Sequence, residues 1–146
     1  QLDLRLFALR DKSLLHSLPE DFSEVDYRAG SLHFTFGVDK KGKWTLFDPA
    51  ADKGKEVANW KLFDPLSSAN AEAILDSPPA SLLARLAHPA VEITLTRKDG
   101  GKKTFRISAP VGNSVYVWVS DAKGIYQLAK SAMDSLTFKK VNDILR

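Results

Sequence analysis

Apolar residues recur at every second position through much of this chain, and that spacing predicts strands. Leu32, Phe34, Phe36 and Val38 share one parity, while Ser31, His33 and Thr35 take the other, so a strand over 31–38 would bury one face and wet the other. A first strand over 25–28 precedes it. Asp39-Lys40-Lys41-Gly42-Lys43 reads as a hairpin turn into a strand over 44–48, with glycine supplying the positive φ that such turns want. Val91, Ile93 and Leu95, a turn at Lys98-Asp99-Gly100-Gly101, then Phe105 and Ile107 make the clearest hairpin. Strands over 114–120 and 124–129 follow, joined at Asp121-Ala122-Lys123-Gly124. In the former, Val115, Val117 and Val119 alternate with Tyr116 and Trp118, so both faces are apolar and the strand is expected to be central.

One phrase occurs twice: Trp44-Thr45-Leu46-Phe47-Asp48-Pro49 and Trp60-Lys61-Leu62-Phe63-Asp64-Pro65. Alternation pairs Trp44 with Leu46 and Trp60 with Leu62, and Asp-Pro ends each run, so both copies are expected to be strands. The polar, alanine-rich segment 49–57 between them reads as a loop. Three helical stretches are predicted. One is capped by Ser67 or Ser68 and runs through Asp76; the next follows Ser77-Pro78-Pro79 and carries Leu82, Leu83 and Leu86. The last begins at Ser131 with capping-box spacing and runs to about Leu136, before an amphipathic tail of Phe138, Val141, Ile144 and Leu145.

These elements describe a single α+β domain over 1–146. It is mainly an antiparallel sheet built from two similar strand-hairpin-strand-helix halves, about 22–87 and 88–138, with short helices packed on the sheet. The ends echo one another as Phe7-Ala8-Leu9-Arg10 and Asn142-Asp143-Ile144-Leu145-Arg146. The chain opens on alternating Leu2, Leu4 and Leu6 without an initiator methionine, as expected of a piece cut from a longer protein.

Composition narrows the chemistry. The chain is 44% apolar and 27% charged over 146 residues, enough for one core without metal or disulfide staples. It has no cysteine, which excludes thiol catalysis and cysteine-ligated zinc. No run approaches the roughly 20 apolar residues of a membrane helix. The net charge is +3, and the basic residues gather at hairpin tips, Lys40, Lys41 and Lys43, then Arg97, Lys98, Lys102 and Lys103, where they keep strands soluble. Nucleic acid is not an expected partner, because the lysines sit at strand ends rather than among the aromatics.

The candidate catalytic groups are few. His16, His33 and His88 lie in unrelated segments without zinc-helix spacing, and Gly100-Gly101-Lys102-Lys103-Thr104 has the wrong spacing for a phosphate loop. Glu20, Asp21, Glu24 and Asp26 cluster ahead of the first strand, and Asp48 with Asp52 brackets a turn. Solvated acids and turn caps explain them more simply than a glycosidase-type pair. No catalytic, cofactor-binding or metal residue is assigned. The candidate interaction surface is aromatic: Trp44, Trp60, Tyr116, Trp118 and Tyr126 all fall on predicted strands, where rings sharing an exposed face would form a stacking platform.

Several segments taken in order also carry a resemblance. They are Leu9-Arg10-Asp11-Lys12-Ser13-Leu14-Leu15; Gly42-Lys43-Trp44-Thr45-Leu46 ending at Pro49; Leu86-Ala87-His88-Pro89-Ala90-Val91-Glu92-Ile93-Thr94-Leu95; Asp99-Gly100 before Phe105-Arg106-Ile107; and Val115-Tyr116-Val117 with Ile125-Tyr126-Gln127-Leu128. Together they resemble the domain-of-unknown-function family numbered 4340, across nearly the whole chain. The second Trp-x-Leu strand and the absence of a glycine before His88-Pro89 depart from the family pattern. The resemblance implies a non-catalytic, extracytoplasmic module of the bacterial envelope, periplasmic or on the outer face of the cytoplasmic membrane. Its anchor would lie outside this chain, and that anchor would be its only membrane contact. Protein partners would be envelope components, in some cases ABC-transport or gliding-motility proteins. An interaction or scaffold module is therefore the leading expectation, a carbohydrate-binding module using exposed strand aromatics the second, and a hydrolase using paired carboxylates the third.

Overall fold

The computed structural model describes residues 21–48, 52–68, 71–120, 124–134, 138 and 140–145; the expectations for Leu2 to Glu20, the segment at His16 included, and for Leu136 lie outside them. The fold is α+β with the sheet dominant. Its strands are β1 (Phe22–Ala29), β2 (Leu32–Val38), β3 (Trp44–Asp48), β4 (Ala73–Leu75), β5 (Val91–Arg97), β6 (Lys102–Ile107), β7 (Ser114–Val119) and β8 (Ile125–Ala129). The helices are α1 (Trp60–Ser68), α2 (Ala80–Ala87) and α3 (Lys130–Asp134), followed by a 3-10 turn over Val141–Ile144. All eight strands join one sheet in the order β3-β2-β1-β5-β6-β7-β8-β4, and every pairing is antiparallel.

Two meanders run outward from the central β1–β5 pair. Its register sets Val25 against Leu95, Asp26 against Thr94 and Tyr27 against Ile93, so each strand directs its apolar parity to one face. On that face Val25, Tyr27, Phe34, Phe36, Leu46, Ile93, Leu95, Phe105 and Val117 are fully buried. Gly37 is required beside them. A Cβ there would meet the Ser23 carbonyl oxygen and come 2.7 Å from a Phe47 ring carbon.

The second Trp-Leu-Phe-Asp-Pro copy is a correction to the sequence expectation: Trp60–Ser68 is helix α1, with Pro65 inside it. The pattern fits either period, because Leu62, Phe63 and Leu66 fall on one helical face as readily as Trp60 and Leu62 fall on one strand face. The surroundings decide. Residues 54–57 already line β3, through Leu46 N–H to the Lys55 carbonyl and Val57 N–H to the Trp44 carbonyl, so no open edge awaits a further strand there. The described part of the loop expected over 49–57 stays outside the strands and α-helices, with its backbone tied to β3. The Asn59 carbonyl then accepts from the Leu62 and Phe63 amides and starts the helix, which buries Leu62, Phe63 and Leu66. Pro65 withholds only the N–H that would meet the Lys61 carbonyl.

A second correction follows. The helix expected to start at a Ser67 or Ser68 cap and run through Asp76 gives way to other structure: Ser68 is the last residue of α1, and Ala73–Leu75 is strand β4, paired with β8. Because β3 and β4 lie at opposite ends of the sheet, the chain between them crosses it, and α1 makes that crossing over the apolar face, where Phe63 stacks on Phe22 with ring centres 5.8 Å apart. The return from β4 to β5 crosses the other face, where Leu82 and Leu86 of α2 pack with Ile125, Leu75, Tyr116 and Trp118.

The C-terminal tail closes the core as its apolar spacing predicts. Phe138 sits edge-on to Tyr27 and Phe34, Ile144 is fully buried, and Val57 pairs with Leu145. Tyr27 is the buried polar anchor of this arrangement, because its phenolic oxygen accepts the Phe138 N–H at 3.0 Å. Burial pushes the Tyr27 hydroxyl above its ordinary value, the Phe138 amide opposes that, and the nearby Asp143 charge adds to it. A raised phenol contributes stability that is complete below the unfolded-state value of about 10 and lost as pH rises past it. Tyr27→Phe leaves the Phe138 amide without its partner and is expected to cost about 1–3 kcal/mol. It should also remove part of the loss of stability above pH 10; urea unfolding at neutral and alkaline pH measures both.

Candidate functional site

The structure places the aromatic candidates in different surroundings rather than on one platform. Trp44 is half-buried on the core face of β3, edge-on to Phe36 and Phe63 with ring centres at 5.9 and 5.5 Å. Trp60 opens α1 and is 44% exposed. The two indoles line a pocket of about 270 Å³ with Gly42, Lys43, Glu56, Val57 and Asn59. Local hydrogen bonding explains their meeting: the 54–57 segment runs back along β3 to the β2–β3 turn, and α1 starts there. Tyr126 packs against the main core. Tyr116 and Trp118 point to the opposite face, beneath α2.

Tyr116 belongs to a second concavity, a groove of about 390 Å³ between α2 and the sheet. Its lining is Leu75, Pro79, Ser81, Leu82, Arg85, Val111, Tyr116 and Gln127. Val111 is 40% exposed at its rim. Along one side runs β4, which pairs with β8 alone among the described strands and ends the sheet. An apolar groove beside a sheet edge can take an extended segment, whose backbone extends the sheet while alternate side chains enter the groove. Sequence reasoning missed Leu75, Pro79, Arg85 and Val111. The usable signal was Ala73-Ile74-Leu75 ahead of Asp76-Ser77-Pro78-Pro79, a short apolar run with a strong breaker.

The rest of that outer face is polar and wet, and its charges face one another across strands. His33, Arg28, Glu92, Arg106 and Trp118 form one row across β2, β1, β5, β6 and β7. Arg106 Nε donates to Glu92 at 2.9 Å, and its guanidinium lies 5.0 Å from the Trp118 ring centre, a cation–π contact that covers the indole. Asp26 accepts from His33 Nε2, Thr35 Oγ1 and Arg28 Nε. Partial burial alone would raise its carboxyl, but the His33 and Thr35 hydrogen bonds, the His33 charge and Arg28 together hold it below the usual carboxylate value.

The other sequence candidates stay apart. His88 follows α2 on the surface, Asp48 ends β3, and Asp52 pairs with Lys55 at 2.7 Å. Among the described residues no group of three or more His, Cys, Asp or Glu side chains could hold a metal ion. No helix among them is long and apolar enough to cross a membrane.

A carboxylate held low in the folded state adds stability above its unfolded value, and that stability is lost as pH falls through the depressed one. Asp26→Asn should therefore cost about 1 kcal/mol or less at pH 7, and the difference from the parent should close in acid, below about pH 4. Urea midpoints across that range check it. Compared with known protein families, with curated proteins and with solved structures, the chain finds no match.

Proposed function

We propose that this protein is a non-catalytic interaction module that receives an extended apolar segment of a protein partner in the groove between α2, β7, β8 and β4. One observation carries the proposal: the groove lined by Leu75, Pro79, Leu82, Val111 and Tyr116 adjoins a strand that ends the sheet. The resemblance to family 4340 supplies the setting, an extracytoplasmic module of the bacterial envelope held by an anchor outside this chain, its partners being envelope or ABC-transport-associated proteins. The two-halves reading belongs to the same proposal. The meanders β1–β2–β3 and β5–β6–β7–β8 run outward from their shared junction, the first leading on to α1 and the second to α3, which supports a duplicated unit.

The experiment is site-specific photo-crosslinking in cells that make the full-length protein. A crosslinker at Val111 should give one discrete adduct with an envelope protein, lost when Tyr116→Ala removes the groove wall, while a crosslinker at Thr94 on the polar face gives none. The same adduct from both positions, or none from Val111, defeats the proposal.

A second reading has its own observation, because Trp44 and Trp60 converge with Glu56 and Asn59 on one pocket. An indole beside a carboxylate and an amide suits a sugar ring, apolar on its face and hydroxylated at its edge. Under this reading soluble envelope glycans should quench tryptophan fluorescence saturably, and Trp60→Ala should abolish the response.

A further inference from the structure

The hairpin turns at the two ends of the sheet differ in charge. The register sets Gly37 against Glu24, Glu24 against Thr96 and Thr96 against Lys102, so the β2–β3 and β5–β6 turns project from the same end. Lys40, Lys41, Lys43, Lys98 and Lys102 are exposed there, with Arg97 half-buried beside them. The hairpin turns at the opposite end, Gly30-Ser31 and Ala109-Pro110-Val111-Gly112-Asn113, carry no charged residue.

Two acids within the basic turns are held by their own backbones. Asp39 accepts from the Lys41 and Lys43 amides, Asp99 from the Gly101 amide, and left-handed Gly42 and Gly100 let the turns close around them. These contacts hold the carboxylates against the turn amides, with Asp99 still exposed; Asp21 and Glu56 are further exposed acids nearby, and half-buried Glu24 lies between the two turns. Three strand spacings separate the turns, about 14 Å at roughly 4.8 Å per strand. Trp60, 44% exposed, flanks the first turn across the pocket it shares with Gly42 and Lys43.

We infer that this end of the sheet rests on an anionic lipid surface, with the lysines among the headgroups and the Trp60 indole at their level. Spread lysines on flexible stems suit a broad, laterally mobile field of negative charge, and an exposed indole beside them suits the membrane interface. Nucleic acid fits less well. Recognition of a strand calls for successive stacking rings along a basic groove, whereas Trp118 is covered by Arg106 and Trp44 is packed on Phe36 and Phe63. The inference goes beyond the groove and stands without it; it also adds a direct membrane contact to the external anchor that the resemblance implies.

The test uses the purified chain over 1–146 with vesicles of phosphatidylglycerol and phosphatidylcholine, and with phosphatidylcholine alone. Sedimentation should show binding to the anionic vesicles only, weakening as salt is added, with a blue shift of tryptophan emission that Trp60→Phe removes. Replacing Lys40, Lys41, Lys98 and Lys102 together by Gln should weaken binding at least tenfold with the thermal midpoint unchanged, and Lys130→Gln, at the other end of the sheet, should leave it as it was. Equal binding to both vesicles, equal binding by the quadruple variant, or no binding at low salt would overturn the inference. So would tighter, salt-sensitive binding to a single-stranded oligonucleotide than to the anionic vesicles. None of these results bears on crosslinking at Val111, so failure here and failure of the groove remain separable.

Discussion

The antiparallel pairing of β1 with β5 is the constraint on which the rest of the structure depends. It joins two parts that would otherwise be separate three- and five-stranded ribbons, and its register decides which parity of each faces the core. With Tyr27 against Ile93 and Val25 against Leu95, apolar rows from both meanders fall on one face. A slip of one residue would bring Asp26 and Arg28 inward, with their partners Thr94 and Glu92 still facing water. The bulge between Phe22 and Glu24 absorbs the mismatch at the start of β1 and puts Phe22 under Phe63 of α1.

Once that sheet exists, its connections determine what remains open. β4 lies at the far edge from β3, so the chain must cross the sheet and return, and it crosses one face with α1 and the other with α2. The α1 crossing, joined by the C-terminal tail on Tyr27 and Phe34, completes the main core. The α2 crossing has only Leu82 and Leu86 to bury, so it covers the sheet near β7 and β8 and leaves β1, β2, β5 and β6 wet on that side. The groove is therefore a consequence of topology: a short helix over a wide sheet, beside a strand of three residues that ends it.

The parts of this fold written in alternation were legible. The strands around Phe34, Ile93, Phe105 and Val117 lie where period two places them, as do the turns at Gly42 and Gly100. The parts decided by tertiary context were not. Two copies of one Trp-x-Leu-Phe-Asp-Pro pattern became a strand and a helix, because the first meets the open edge of β2 and the second arrives after that side has been lined. β4 was hidden for a related reason: three residues are too few to show a period, and their strand state comes from Tyr126 and its neighbours across the ladder. The site suffered most. Alternation correctly separates Trp118 from Val117, but it cannot say that α2 covers one face there, or that Trp44 and Trp60 converge across residues 54–57.

Helix α1 ties the core to the candidate surfaces. Leu62, Phe63 and Leu66 fix it to the apolar face, and the same placement brings Trp60 to the basic end and holds Trp44 edge-on beneath it. The Trp60 indole heads a helix whose Leu62, Phe63 and Leu66 side chains are buried, so the core sets where the helix carries it. The same separation holds at the groove, where Leu82 and Leu86 secure α2 while Val111 and Leu83 remain in solvent. In both places buried residues on a crossing helix supply rigidity and an exposed neighbour supplies surface. The surface residues can therefore be changed without dismantling the sheet, which is what makes the proposed binding at either end separable from folding.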